Sequence, residues 1–155
     1  MSAEEVEVAK LLMSGLLERL GVEAEVEGIL EEGDLRLSIK ADQEGILIGR
    51  HGRTLDSLQF LINRMVNKRL ERPLRIVLDI NDYRKRKTEN LTKMAIRMGE
   101  KVKTKGSPLS IGPFNAHDRR LIHIALKEDS SLRTESIGEG KLKKVTIIPT
   151  MTKPQ

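Results

Sequence analysis

The sequence predicts an α+β fold: two small α/β modules in tandem, residues 1–81 and 82–149, with a C-terminal tail at 150–155. Three observations predict it. A chain of 155 residues suits one medium domain or two small ones. Apolar residues pass between helical spacing and alternation once before Asn81-Asp82 and again after it. Glycine and proline punctuate the pattern at short intervals, so the elements are brief and no long linker divides the halves.

The first segment reads as a helix of about 15 residues, with Val8, Leu11, Leu12, Leu16 and Leu20 at three- and four-residue steps and Gly21 as its stop. An alternating strand follows, with Ala24, Val26 and Leu30 on one side and Glu23, Glu25 and Glu27 on the other. Glu31-Glu32-Gly33-Asp34 turns the chain, and Leu35, Leu37 and Ile39 mark the returning strand. Asp42 is set to cap a very short helix running into Ile46-Leu47-Ile48. The chain breaks at Gly49-Arg50-His51-Gly52 and restarts as a helix to about Leu70, its buried stripe Leu55, Leu58, Ile62, Met65 and Val66. Past Pro73, Leu74 to Ile80 reads as a strand. In the second unit Asp82 caps a long helix whose buried side is Leu91, Met94, Ala95, Met98 and Val102. Gly106 to Pro113 is a break holding an extended piece, Leu109 to Ile111. Asn115 caps another helix, with Asp118 three residues on. Strands at Leu132 to Ile137 and Leu142 to Ile148 flank a Gly138-Glu139-Gly140-Lys141 hairpin, and a frayed tail follows Pro149.

Composition narrows the function. There is no cysteine, which removes disulfides, thiolate metal sites and Cys nucleophiles. No apolar run nears the roughly 20 residues of a membrane helix, so no membrane insertion is expected. The N-terminus carries Glu4, Glu5 and Glu7, the wrong sign for a targeting peptide, and the chain reads as cytoplasmic. One Tyr, two Phe and no Trp leave few rings on which bases could stack. Net charge is +5, but residues 1–44 hold 4 Lys and Arg against 12 Asp and Glu, while residues 45–155 hold 24 against 11. A basic surface so polarised points to a polyanion.

The glycine loop has the most specific chemistry. Its two glycines let the backbone turn sharply and let a sugar-phosphate chain come close. The next helix begins there with its free N–H groups and positive dipole end. Arg50, His51 and Arg53 ring the same spot with donors. A bare GxxG is most often a helix corner; an Ile before it, cations within it and an amphipathic helix after it favour a phosphate clamp. The stretch ILIGRHGRTLDSLQFLINRMV resembles the core of a KH domain, and the helix-strand-strand-helix-helix-strand order resembles its type II form over residues 1–81. The resemblance implies that Gly49, Arg50, His51 and Gly52 clamp a single strand. It also implies that Ile48 and the apolar side of the next helix floor its bases.

In the second unit Arg119 and His123 are four apart on a helix and share a face. They offer a guanidinium fork and an imidazole, suited to phosphate and to base or ribose. Spacing alone favours a half-buried His and a surface Arg. The run FNAHDRRLIHIAL with TESIGEG and VTII, however, resembles the R-three-H domain, whose members bind single-stranded nucleic acid. The resemblance spans residues 82–149 and implies that Arg119 and His123 are the signature pair. Arg120, Lys127 and the Ser136-Ile137-Gly138 turn are secondary candidates. Arg84, Lys85, Arg86 and Lys87 add a basic run expected to attract phosphates without specificity.

A KH unit followed by an R-three-H unit resembles the bacterial Jag (KhpB) proteins. The resemblance implies single-stranded RNA, or single-stranded DNA, as the partner, in a post-transcriptional regulator or RNA chaperone linked to cell elongation and division. It also implies a small KH-domain protein partner, so an adaptor with secondary RNA binding is the alternative. The chain is expected to lack the N-terminal domain and linker many such proteins carry. No P-loop is present, and Gly138 to Lys141 is a turn. His117-Asp118 is too few ligands for a metal phosphohydrolase. No enzyme activity, cofactor, metal or small-molecule substrate is expected.

Overall fold

A computed structural model describes residues 1–150, so the tail expected beyond Pro149 lies, from 151 on, outside the described residues. Thr150 itself is held, its N–H donating to Ser131 O at 2.9 Å. The chain divides into two compact units, residues 1–84 and residues from 85 on. The predicted α+β class, with two modules in tandem, is what the chain forms.

In the first unit α1 (Ala3–Arg19) opens with a capping box. Ser2 Oγ accepts from Glu5 N, and Glu5 Oε2 accepts from Ser2 N at 2.8 Å. Its buried stripe is Ala9, Met13 and Leu17, whereas Leu11 is 70% exposed. The predicted stripe is therefore out of phase. The run VAKLLMSGLL is apolar enough to support several faces, and packing against β1 selects among them. Strands β1 (Ala24–Glu31) and β2 (Asp34–Ala41) pair antiparallel through the two-residue turn Glu32-Gly33, both at positive φ. Leu35, Leu37 and Ile39 point into the core, while Leu30 is 52% exposed near the hairpin end.

Helix α2 (Glu44–Ile48) leads through a 3₁₀ turn, Arg50–Gly52, into α3 (Arg53–Leu70). Its N-cap is Gln43 rather than Asp42, without a side-chain hydrogen bond; Asn81 instead bridges Ala41 and Glu44. Strand β3 (Ile76–Ile80) lies parallel to β2, giving the order β1-β2-β3. The outer edge of β3 is closed by α3. Leu78 N donates to Gln59 Oε1 at 2.9 Å, Ile76 N to Asn63 Oδ1 at 2.9 Å and Leu74 N to Asn67 Oδ1 at 2.8 Å. Four residues of helix advance roughly 6 Å and two of strand roughly 6.6 Å, so these amides keep step with alternate strand residues.

Helix α4 (Tyr83–Lys105) starts directly after Asp82. Asp82 sits at φ 55° with its carboxylate 3.6 Å from Arg36, and Asp79 Oδ1 accepts from Arg84 N. The second unit packs α4 and α5 (Ala116–Leu126) with a sheet ordered β4-β6-β5, formed by β4 (Leu109–Phe114), β5 (Leu132–Ile137) and β6 (Lys143–Pro149). Its core joins Leu91, Ala95 and Val102 to Ile122, Leu126, Val145 and Ile147. Gly99 is buried here because a Cβ would come within 2.8 Å of Leu132. Among the described residues no helix is long and apolar enough to cross a membrane.

Candidate nucleic-acid interface

The glycine loop is built by backbone geometry. Gly49 stands at φ 69° and ψ −179°, a region open essentially to glycine alone, and a Cβ there would meet Thr54 Oγ1 at 2.1 Å. Gly52 is left-handed at φ 74°, and a Cβ would come within 3.3 Å of the Tyr83 ring. Both glycines are thus required by their own neighbours, beyond any need to admit a ligand. His51 adopts φ 56° and is exposed with Arg50; neither side chain has a hydrogen-bond or ion partner among the described residues. Helix α3 starts at the loop, and no side chain caps its N-terminus. Two exposed cation-capable side chains and an open helix N-terminus share four residues, a setting that favours an anion.

Ile48, expected to floor the bases, is 7% exposed and belongs to the core. The accessible apolar groups on these helices are Ile46 at 57%, Phe60 at 69% and Leu61 at 42%. Helical periodicity explains the exchange: Ile46 and Ile48 lie about 200° apart around α2, so one faces in when the other faces out.

The cations of the basic run 84–87 have different surroundings. Arg84 donates from Nε to Leu78 O at 3.2 Å and from Nη2 to Gln59 Oε1 at 3.1 Å. Lys87 Nζ lies 3.0 Å from Asp118 Oδ2, whose side chain is buried. Arg84, Lys85 and Arg86 are exposed and Lys87 is half-buried. His117 is exposed, with Nδ1 3.6 Å from Asp118 Oδ1, and Asp118 is buried and held by Lys87.

In the second unit Arg119 and His123 are brought together with β5. His123 Nδ1 is 2.5 Å from Thr134 Oγ1 and Nε2 is 3.0 Å from Ser136 Oγ, so both ring nitrogens have hydroxyl partners. Burial first, and the Arg119 charge second, push the imidazole below its ordinary pKa, favouring the neutral ring. Arg119 Nη1 donates to Phe114 O at 2.7 Å and to Lys141 O at 3.3 Å, tying the end of β4 to the β5–β6 hairpin. An open groove runs past these side chains, lined also by Arg120, Ile124, Lys127, Thr134 and Ser136. Arg120 and Lys127 are exposed, and Ile124 is 55% exposed. Sequence reasoning missed Thr134 and Ile124; alternation of Thr134 with Ser136 was the available signal.

Residues 7–80 match the family model described as the KhpA/KhpB KH domain, and residues 89–149 match that of the R-three-H domain. The chain is 39% identical over 128 residues to an RNA-binding protein KhpB of Clostridium symbiosum, covering 83% of this chain and 58% of that one. It is 29% identical over 132 residues to the Lactiplantibacillus plantarum protein of the same name, covering 85% and 41%. With the Bacillus subtilis protein of that name identity is 27% over 145 residues, covering 92% and 69%. The chain therefore spans about half the length of the first two relatives.

Proposed function

The chain is a KhpB-like protein, a KhpA/KhpB-type KH domain followed by an R-three-H domain, and from that premise we propose that it binds single-stranded RNA. The observation that carries the reading is the loop: the side chains of Arg50 and His51 have no partner among the described residues and stand beside the N-terminus of α3, which no side chain caps. Such a turn holds phosphate oxygens by charge and by backbone N–H groups. Residues 82–149 supply the second contact. Arg120 and Lys127 meet the backbone, Arg119 offers its remaining guanidinium donors, His123 presents the face of its ring to base or ribose while its nitrogens stay on Thr134 and Ser136, and Ile124 provides an apolar rest for an unstacked base. RNA is chosen over DNA because the relatives are named RNA-binding proteins.

Fluorescence anisotropy with short labelled RNA strands tests this directly. Arg50→Asp/His51→Asp should abolish binding while thermal stability stays within about 0.5 kcal/mol, as expected for exposed side chains. If about four phosphates are neutralised, log affinity should fall with log salt at a slope near −3, at roughly −0.7 per phosphate. A slope near zero defeats the reading. A second reading, an adaptor for a small KH-domain protein, is favoured by β1. That strand is a sheet edge with Glu25 and Glu27 exposed along it, while the opposite edge is closed by Gln59, Asn63 and Asn67. Partner binding that survives the loop substitutions separates the two roles.

A further inference from the structure

The second unit carries another cationic surface. Lys93, Arg97, Lys101 and Lys105 follow one another at four-residue steps along α4, about 6 Å apart along its axis. All are exposed, and none has an ion-pair or hydrogen-bond partner among the described residues. That sets them apart from the unit's committed cations. Lys87 is held by Asp118, Lys103 by Asp129 and Glu100, and Arg119 by two carbonyls. Two acids occur on the same helix between Thr88 and Lys105, but Glu100 is spent on Lys103, leaving Glu89. The face is net positive and regularly spaced.

It is also separate from the Arg119/His123 groove. Helix α5 turns Asp118 toward Lys87 of α4 and turns His123, about 140° round the helix, toward β5. The ladder lies opposite the buried side of α4, which is Leu91, Ala95, Gly99 and Val102.

We propose that Lys93, Arg97 and Lys101 form an additional, sequence-independent phosphate-binding surface, which engages a stretch of RNA beyond the one held in the groove. The inference rests on the RNA-binding reading and deepens it. Free cations one helical turn apart attract a polyphosphate by releasing its counterions, without reading bases. Longer strands gain from the ladder, and strands short enough to fill only the loop or groove do not.

The test uses the full chain with fluorescein-labelled oligouridine of two lengths, one long and one short, over a salt series. Three further phosphates take the expected slope for the long strand from near −3 to about −5, at roughly −0.7 each. Lys93→Gln/Arg97→Gln/Lys101→Gln returns it to near −3, weakens long-strand affinity by on the order of tenfold at low salt, and leaves short-strand affinity unchanged. Lys93→Arg/Arg97→Lys/Lys101→Arg, which keeps the charges, retains wild-type binding. An unchanged long-strand slope in the glutamine variant, with the loop variant still defective, overturns the ladder alone. Absence of binding by the wild-type chain overturns the RNA reading itself. Circular dichroism confirms that the glutamine variant keeps its fold.

Discussion

The two units solve the same problem in opposite ways. In the first, the groups offered to a ligand are idle in the fold. Arg50 and His51 are exposed, their side chains without partners among the described residues, and α3 begins with no side-chain cap. In the second, the signature groups also hold the structure. Arg119 ties two carbonyls, His123 spends both ring nitrogens on Thr134 and Ser136, and α5 is capped by Asn115, which accepts from Asp118 N at 2.8 Å. Binding and stability are separable in the loop and entangled in the groove. In the loop, the structural demand falls instead on the glycines, where any side chain would be strained.

The sharpest way to break the comparison is to load that strain. Gly49→Ala places a Cβ against Thr54 and forces a side chain into a glycine-only backbone region. The expected loss is about 2–4 kcal/mol, combining backbone strain and steric overlap. Tyr83, the single tyrosine in a chain without tryptophan, lies against Gly52, so its fluorescence in urea reports the first unit. Adding Thr54→Ala should recover only the steric part, since the backbone demand remains. No loss in the single variant means the glycine serves ligand access alone, and full recovery by the double variant means that Thr54, not the backbone, demands it.

The next effect concerns the groove. His123→Ala removes the partner of two hydroxyls on β5 and should cost about 1–2 kcal/mol while weakening RNA binding as well. His123→Gln, which keeps a donor and an acceptor, should restore more stability than affinity. Urea unfolding followed by circular dichroism, set beside anisotropy, gives both quantities. If His123→Ala loses affinity with no loss of stability, the second unit behaves like the loop and the contrast disappears.

How much of this could be read in the residues follows the same division. The glycine loop was legible because a backbone region such as that of Gly49, at φ 69° and ψ −179°, is open essentially to glycine alone, and because Ile48, Arg50, His51 and Arg53 flank the two glycines. The order of elements was legible from alternation at 35, 37 and 39 and from helical spacing at 55, 58, 62 and 66. The phase of α1 was not, because Val6 to Leu17 is apolar on more than one face and only packing decides. Ile48 was assigned to the floor because the motif brings it next to the loop, yet the core claimed it. The internal commitments of Arg84 and Lys87 were hidden for a related reason. A run of four cations looks uniform as text, while on a helix residues three apart share a face, and here Arg84 and Lys87 are each engaged by neighbouring groups. The amides at 59, 63 and 67 were in plain view at four-residue spacing, but nothing in the sequence says that a strand edge lies within their reach.

The smallest effect sharpens the contrast through pH. Burial and the neighbouring Arg119 hold His123 below its ordinary value of 6.5. The unfolded chain therefore takes up a proton at this residue before the folded one does. The stabilising contribution is complete above the unfolded value and is lost as pH falls from there toward the folded value. Acidification below about 6.5 should thus erode the second unit, modestly because the ring is only partly buried. The Cε1 proton of His123, followed by NMR, should titrate with a midpoint below 6.5, and Arg119→Ala should move that midpoint upward by removing the like charge. A midpoint at or above 6.5 in the wild-type chain means that the imidazole is more open than its contacts with Thr134 and Ser136 allow. The groove would then hold its histidine as loosely as the glycine loop holds His51.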